Sequence, residues 1–167
     1  RREARPIKDI LRGAVSQNGR EVCYQPKLCL RTGRWVGREA LLRGNQPEKG
    51  MIRPDQFISV AGEAGLISRI GRWVARQSCR MGKQLTAAGY GKLHVAINVS
   101  PTQFSDPALV SSLASILREE QLDPSLLELA LTESLLLEGP EDTRLPLQSL
   151  ITLGLTPPTR ACGPGTS

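Results

Sequence analysis

Arg38-Glu39-Ala40-Leu41-Leu42-Arg43 closes a mostly apolar run that opens at Trp35-Val36-Gly37. The run reads as a buried β-strand. A carboxylate inside such a strand is costly to bury unless it is paired or holds a metal. Glu39 is that carboxylate, and Arg43 follows four residues on, where the strand leaves the core. Acid within and base at the rim suit a phosphorylated ligand held with a divalent metal. A buried Glu39–Arg43 ion pair with no ligand accounts for the same pattern. The stretch alone leaves both readings open.

The flanking sequence supplies the context. Residues 21–30 (EVCYQPKLCL) alternate and are rich in strand formers, and Thr32-Gly33 makes a turn back into residues 35–42, so the pair predicts a hairpin. Pro26 confines the first strand to an edge or a bulge. Residues 44–53 read as a loop, and Pro54 opens a short helix to Ala61. Residues 66–88 carry Ile67, Ile70, Val74, Met81 and Leu85 at helical spacing, with Gly89 as the stop. Arg69, Arg72, Arg76, Arg80 and Lys83 form a basic stripe along the same helix, read as a solvated face. Residues 93–99 (LHVAINV) are a strand ending at Asn98-Val99-Ser100 before Pro101, and His94 is read as a surface or packed histidine. Asp106-Pro107 is read as an N-cap and N1 opening a helix to about Glu120. Residues 126–132 (LLELALT) are the next buried strand, ending at Glu133. Residues 140–153 are helical, broken at Pro146 and ended by Gly154.

Buried strands alternating with helices predict parallel βα units. Glu39, Asn98 and Glu133 then fall at or near the C-terminal ends of three strands, the catalytic face of a β/α barrel. Ahead of this unit, Ile7, Ile10, Leu11 and Ala14 mark a basic leader helix, so residues 1–19 are read as a linker and residues 20–167 as the domain.

Composition narrows the class. The 167 residues are 40% hydrophobic and 23% charged, an ordinary globular balance. Cys23, Cys29, Cys79 and Cys162 show no metal-binding spacing, and His94 is the single histidine, which argues against zinc. Scattered cysteines and no apolar run of about 20 residues predict a cytoplasmic protein without a membrane span. Residues 1–100 hold 19 basic against 7 acidic side chains, net +12, and residues 101–167 hold 3 against 9, net −6. A basic first part suits an anionic ligand, a nucleic acid or an acidic partner. A balancing segment elsewhere explains it as well. Few aromatics and no nucleic-acid motif make nucleic-acid binding the weaker reading.

Taken together, Tyr24-Gln25-Pro26, residues 37–43, Pro54-Asp55-Gln56-Phe57-Ile58, Gly65-Leu66-Ile67, Gly71-Arg72-Trp73-Val74, Asn98-Val99-Ser100 and residues 127–134 resemble the EAL domain, a bacterial phosphodiesterase family that linearises cyclic di-GMP. The resemblance covers nearly the whole chain. It implies a TIM-like β/α barrel whose first strand runs antiparallel to the rest. It also implies metal-assisted attack of water on a phosphodiester, with two Mg²⁺ or Mn²⁺ ions. Residue by residue, Glu39 and Asn98 match metal ligands. Gln25 matches a guanine contact, Leu41 a residue lining the site and Arg43 a phosphate contact. Glu133 matches a glutamate that steadies an active-site loop.

The chain also departs from that pattern. Ala130 stands where the family has a further metal-binding glutamate, and a methyl cannot coordinate. Glu128, two residues earlier on the same strand face, lies about 7 Å lower and is a poor substitute. In an ungapped register Arg160 and Ala161 replace two aspartates, while Gly163 and Gly165 stay in place. Pro157-Pro158 falls where a central strand should run. Four or five of eight strands are represented, so a partial barrel lacking its later strands is expected.

The expectation is therefore a degenerate, C-terminally truncated EAL domain without phosphodiesterase activity, binding Mg²⁺ or Mn²⁺ weakly or not at all. The alternative is a cyclic di-GMP receptor or a protein-interaction module docking through an open sheet edge or the basic stripe, with homo-oligomers a further consequence of that edge.

Overall fold

The computed structural model describes residues 20–46, 50–52, 64–91, 93–130 and 144–157. The leader at residues 1–19, the short helix expected at 54–61, Glu133, and Arg160 and Ala161 lie outside the described residues.

The predicted hairpin forms from β1 (Arg20–Leu28) and β2 (Trp35–Gln46), paired antiparallel. Its turn closes where Gly33 takes a φ of 67°, its N–H donating to the Cys29 carbonyl oxygen at 2.7 Å. Only glycine enters that region freely. Pro26 donates nothing to a ladder, and β1 stands at one end of the described sheet, where a strand tolerates it. The register shifts between Lys27 and Leu28.

The loop expected over residues 44–53 is instead strand at both ends. β2 runs on to Gln46 and pairs antiparallel with β3 (Gly50–Ile52). α1 (Ala64–Ala87) starts two residues before the expected 66 and ends one before 88. It buries Ile70, Ala75, Ser78, Cys79 and Leu85. β4 (His94–Asn98) pairs parallel with β2, and β5 (Leu127–Ala130) pairs parallel with β4.

Between β4 and β5 the chain makes α2 (Pro101–Phe104), α3 (Leu109–Glu119) and a 3-10 turn at Pro124–Leu126. α2 was not expected. α3 opens two residues later than the Asp106 N-cap implied, because the Asp106 carboxylate accepts from the Ala108 N–H at 2.9 Å and closes a turn ahead of the helix. α4 (Arg144–Leu153) is unbroken, since Pro146 falls in its first turn, where an N–H has no intrahelical partner to lose. Gly154 ends it with a φ of 113°, and Thr156 then bridges Glu128 in parallel.

Strand side chains alternate between two faces. Ala40, Val95, Ile97, Leu127 and Leu129 share one core with Ala75, Cys79, Leu113, Ile116, Leu117 and Leu150 of the helices. The other face carries Gln25, Lys27, Glu39, Asn98, Glu128 and Ala130, as the register fixes. A parallel β2-β4-β5 sheet with its helices over one face, and a reversed first strand, is an arc of a β/α barrel.

The basic stripe of α1 is only partly solvated. Arg76 reaches Glu119 at 2.7 Å and Glu120 at 3.0 Å, and Arg80 reaches Glu120 at 3.3 Å. These pairs tie α1 to the end of α3, whereas Arg69, Arg72 and Lys83 are exposed.

Candidate functional site at the strand ends

The sheet gathers three of the expected positions at one end. Gln25 lies directly across from Glu39 on the antiparallel hairpin. Such cross-strand neighbours have their Cβ atoms about 4.5–5.5 Å apart. Glu39 is level with Ala96 on β4, and Asn98 stands one same-face position further toward the C-terminal edge. Asn98 is in turn level with Ala130 on β5.

Glu39 and Asn98 touch. The Asn98 Nδ2–H donates to Glu39 Oε1 at 3.2 Å. Glu39 is half-buried and Asn98 exposed, so the pair faces solvent along the edge. Leu41, half-buried, continues the face of Glu39 along β2. The backbone puts Arg43 on that same face, roughly 13 Å from Glu39 at strand rise. The side chain of Arg43 lies outside the described residues, and so does the suggested Glu39–Arg43 ion pair.

The segment after Asn98 is held from behind. The Val99 N–H donates to the Ala130 carbonyl oxygen at 3.5 Å. Ser100 and Gln103 form a reciprocal capping box at the start of α2: the Gln103 N–H donates to Ser100 Oγ at 3.3 Å, and the Ser100 N–H to Gln103 Oε1 at 3.0 Å. Gln103 in turn lies against Gly71 of α1, so closely that a methyl there would overlap its amide. A cavity of about 20 Å³ lies behind Asn98, with Ser68, Gln103, Asp106 and Ser112 in its wall. That is room for one water among polar partners. The Asp106 carboxyl is held below its usual range, first by the Ala108 N–H, then by the Ser68 hydroxyl and the charge of Arg72.

One feature escaped the sequence reading. Glu128, 5% exposed, is paired with Lys27 Nζ at 3.5 Å. β1 and β5 stand at opposite ends of the described sheet, so Lys27 spans the polar face to reach it. Glu128 is level with Ala96, and so with Glu39 two strands away, and its carboxylate is engaged by Lys27. The register puts Gly37 across from Lys27 and Ala96 between Glu39 and Glu128, so small residues stand between the two charges.

Metal binding can be tested against this donor set. Glu39 offers a carboxylate and Asn98 an amide whose N–H is turned toward it; Ala130 offers a methyl. Among the described residues no group of three or more His, Cys, Asp or Glu is placed to hold a metal ion. A two-metal centre, which needs bridging oxygens from several strand ends, does not fit these positions. Among the described residues no helix is long and apolar enough to cross a membrane.

Comparison with known proteins fits this geometry. The sequence matches the EAL domain over residues 8–156. The bifunctional diguanylate cyclase/cyclic di-GMP phosphodiesterase MucR of Pseudomonas aeruginosa is 35% identical over 145 residues, 87% of this chain and 21% of MucR. The cyclic di-GMP phosphodiesterase NbdA of the same organism is 33% identical over 150 residues, 90% of this chain and 19% of NbdA. The chain thus spans about a fifth of the length of these relatives. The solved MucR phosphodiesterase in complex with c-di-GMP superposes with a TM-score of 0.85 at 34% identity, covering 91% of this chain and 62% of that one. Parallel strands with a reversed first strand, polar groups gathered at their ends and a match across most of the sequence have one reading: the chain belongs to the EAL domain family.

Proposed function

We propose that this EAL domain holds one guanosine-phosphate half of cyclic di-GMP at the ends of β1 and β2 and does not hydrolyse it. The observation that carries the proposal is Ala130 level with Asn98, beside a Glu39 that already accepts a hydrogen bond from the Asn98 amide. Phosphodiesterases of this family depend on divalent metal in general. Here the edge offers a carboxylate and an amide followed by a methyl, too few oxygens to clamp two ions. Arg160 and Ala161, in place of two family aspartates, remove more.

The ligand half-site draws on Gln25 for the guanine, Leu41 as apolar lining and Arg43 for a phosphate. Arginine suits the last role through its fixed fork of donors. Glu133 is assigned to the neighbouring loop. With one side of the ligand engaged, the expected dissociation constant is on the order of tens of micromolar, about −6 kcal/mol.

The test is incubation of the purified chain with cyclic di-GMP and Mg²⁺ or Mn²⁺, with chromatography of the products. No linear pGpG is expected. Turnover that vanishes in Glu39→Ala would overturn the proposal. Calorimetry with cyclic di-GMP should show weak binding that Arg43→Ala abolishes. Submicromolar binding that survives Arg43→Ala would put the ligand elsewhere.

A further inference from the structure

We propose that the turn end of the β1–β2 hairpin is a docking surface for an acidic, amphipathic polypeptide segment of a partner protein. It stands apart from the strand-end site and does not depend on the reading of that site.

Exposed apolar side chains are concentrated there. Seven large ones are exposed among the described residues, and five belong to this end: Leu28, Leu30, Trp35 and Val36 of the hairpin, and Tyr90 just before β4. Leu28 and Trp35 are cross-strand partners. Trp35 and Tyr90, 60% and 59% exposed, line one cavity of about 240 Å³ together with Pro26, Arg38 and Leu93. Leu28, Trp35 and Tyr90 are thus linked by pairing and by a shared cavity, and clustered exposed apolar side chains mark an interaction site where single scattered ones do not.

Size and charge indicate the occupant. Small-molecule pockets run from about 300 to 1,000 Å³, so this cavity suits a single large side chain better than a whole nucleotide. Residues 27–38 carry Lys27, Arg31, Arg34 and Arg38 and no Asp or Glu. Lys27 is engaged by Glu128, while Arg31 and Arg34 are exposed. None of the three arginines pairs with a described carboxylate. Trp, Tyr and Arg are the side chains that dominate binding energy at protein interfaces, and a cationic rim selects an acidic partner. Leucines and a valine among the arginines give no repeated stacking platform, which disfavours single-stranded nucleic acid.

The position also permits simultaneous use of both sites. Gly37 is level with His94, the first residue of β4, so the patch lies at the N-terminal end of the parallel strands. Glu39 and Asn98 face the other end.

The probe is a short synthetic peptide rich in Glu and Asp with Phe and Leu at helical spacing, and a control in which every acid is Lys. Binding is followed by calorimetry and by the indole N–H resonance of Trp35 in the isotope-labelled chain. The acidic peptide should shift that resonance, and added salt should weaken it. Trp35→Ser and the pair Arg34→Glu/Arg38→Glu should each lower the affinity by about tenfold or more. Arg34 and Trp35 are exposed and Arg38 is half-buried, and circular dichroism melts matching the parent chain confirm folding of each variant. The proposal is overturned by no binding of the acidic peptide, equal binding of the lysine control, affinity unchanged in Trp35→Ser/Tyr90→Ser, or GMP or an oligonucleotide shifting Trp35 in the peptide's place. Self-association that disappears in Trp35→Ser would also overturn it, by identifying a second copy as the occupant.

Discussion

Gly71 has no side chain because the Gln103 amide fills the space where one would stand. Gln103 is already committed to the capping box with Ser100, so it has little freedom to give way. Gly71→Ala should cost about 1–3 kcal/mol, the usual range for overpacking, read from the shift of the denaturant midpoint. An unchanged midpoint would mean that the Gln103 amide swings clear. Cys79 illustrates burial acting on chemistry. It is fully enclosed in the core, and burial pushes its thiol up to about 12. Iodoacetamide at mildly alkaline pH should label half-buried Cys23 well before Cys79, and Cys79 only with unfolding; peptide mass spectrometry distinguishes them. At the strand ends, Glu39 and Asn98 supply at most three oxygens where Mg²⁺ wants nearly octahedral ligation. Titration calorimetry should find divalent-metal binding weaker than about 1 mM, and a micromolar site would contradict this donor count.

Between elements, the strongest polar link described is that of α1 to α3. Arg80 and then Arg76 hold the Glu120 carboxyl below its usual range, and Glu119 and Glu120 raise Arg76. The groups are partly exposed, so solvent screens them. A double-mutant cycle on Arg76→Ala and Glu120→Ala should return a coupling of about 0.5–1 kcal/mol that shrinks in high salt. The stripe of cations was plain in the sequence, but its partners sit 40 or more residues away and no local pattern announces them. The hairpin and α1 were legible because period 2 and period 3.6 are local properties. β3 was not, since Gly50-Met51-Ile52 has no alternation of its own and is a strand only through pairing with β2. α2 carried a readable signal, Ser100-x-x-Gln103 with Pro101 at the first helical position, which the reading of Pro101 as a strand stop concealed. The site divides the same way. Glu39 and Asn98 could be placed from strand ends, whereas the Lys27–Glu128 pair depends on how far across the sheet one side chain reaches.

At the scale of the whole molecule, the described carboxyl groups with shifted pKa values all move in one direction. Asp106, Glu120 and Asp123 lie below their ordinary values of 3.8, 4.5 and 3.8, through the Ala108 N–H, Arg80 and the Ser125 N–H respectively. A depressed folded-state pKa gives stability that is present above the unfolded value and is lost as pH falls through the folded one. The melting temperature should therefore begin to fall below about pH 4. Asp106→Asn should lower it at neutral pH and converge with the parent in stronger acid. A gap that persists at the lowest pH would show that the Asp106 charge is not the cause. Catalysis is also a property of the whole set of strand ends. Under the proposed reading, Ala130→Glu alone should not produce pGpG, because Arg160 and Ala161 align by sequence with two carboxylates of the family. Turnover in that single variant, measured by chromatography, would show that the remaining positions suffice.

Lys27 and Glu128 are 101 residues apart. A ribosome adding about 5–20 residues per second delivers the carboxylate roughly 5–20 s after the ammonium. During that interval the polar face of the nascent sheet carries a cation whose described partner does not yet exist. Water must solvate Lys27 until β5 docks, so that face closes only when the last described strand is in register. The pair therefore acts as a late checkpoint in synthesis: a Glu128→Gln chain should show slower acquisition of protease resistance during translation, even where its finished fold melts close to the parent.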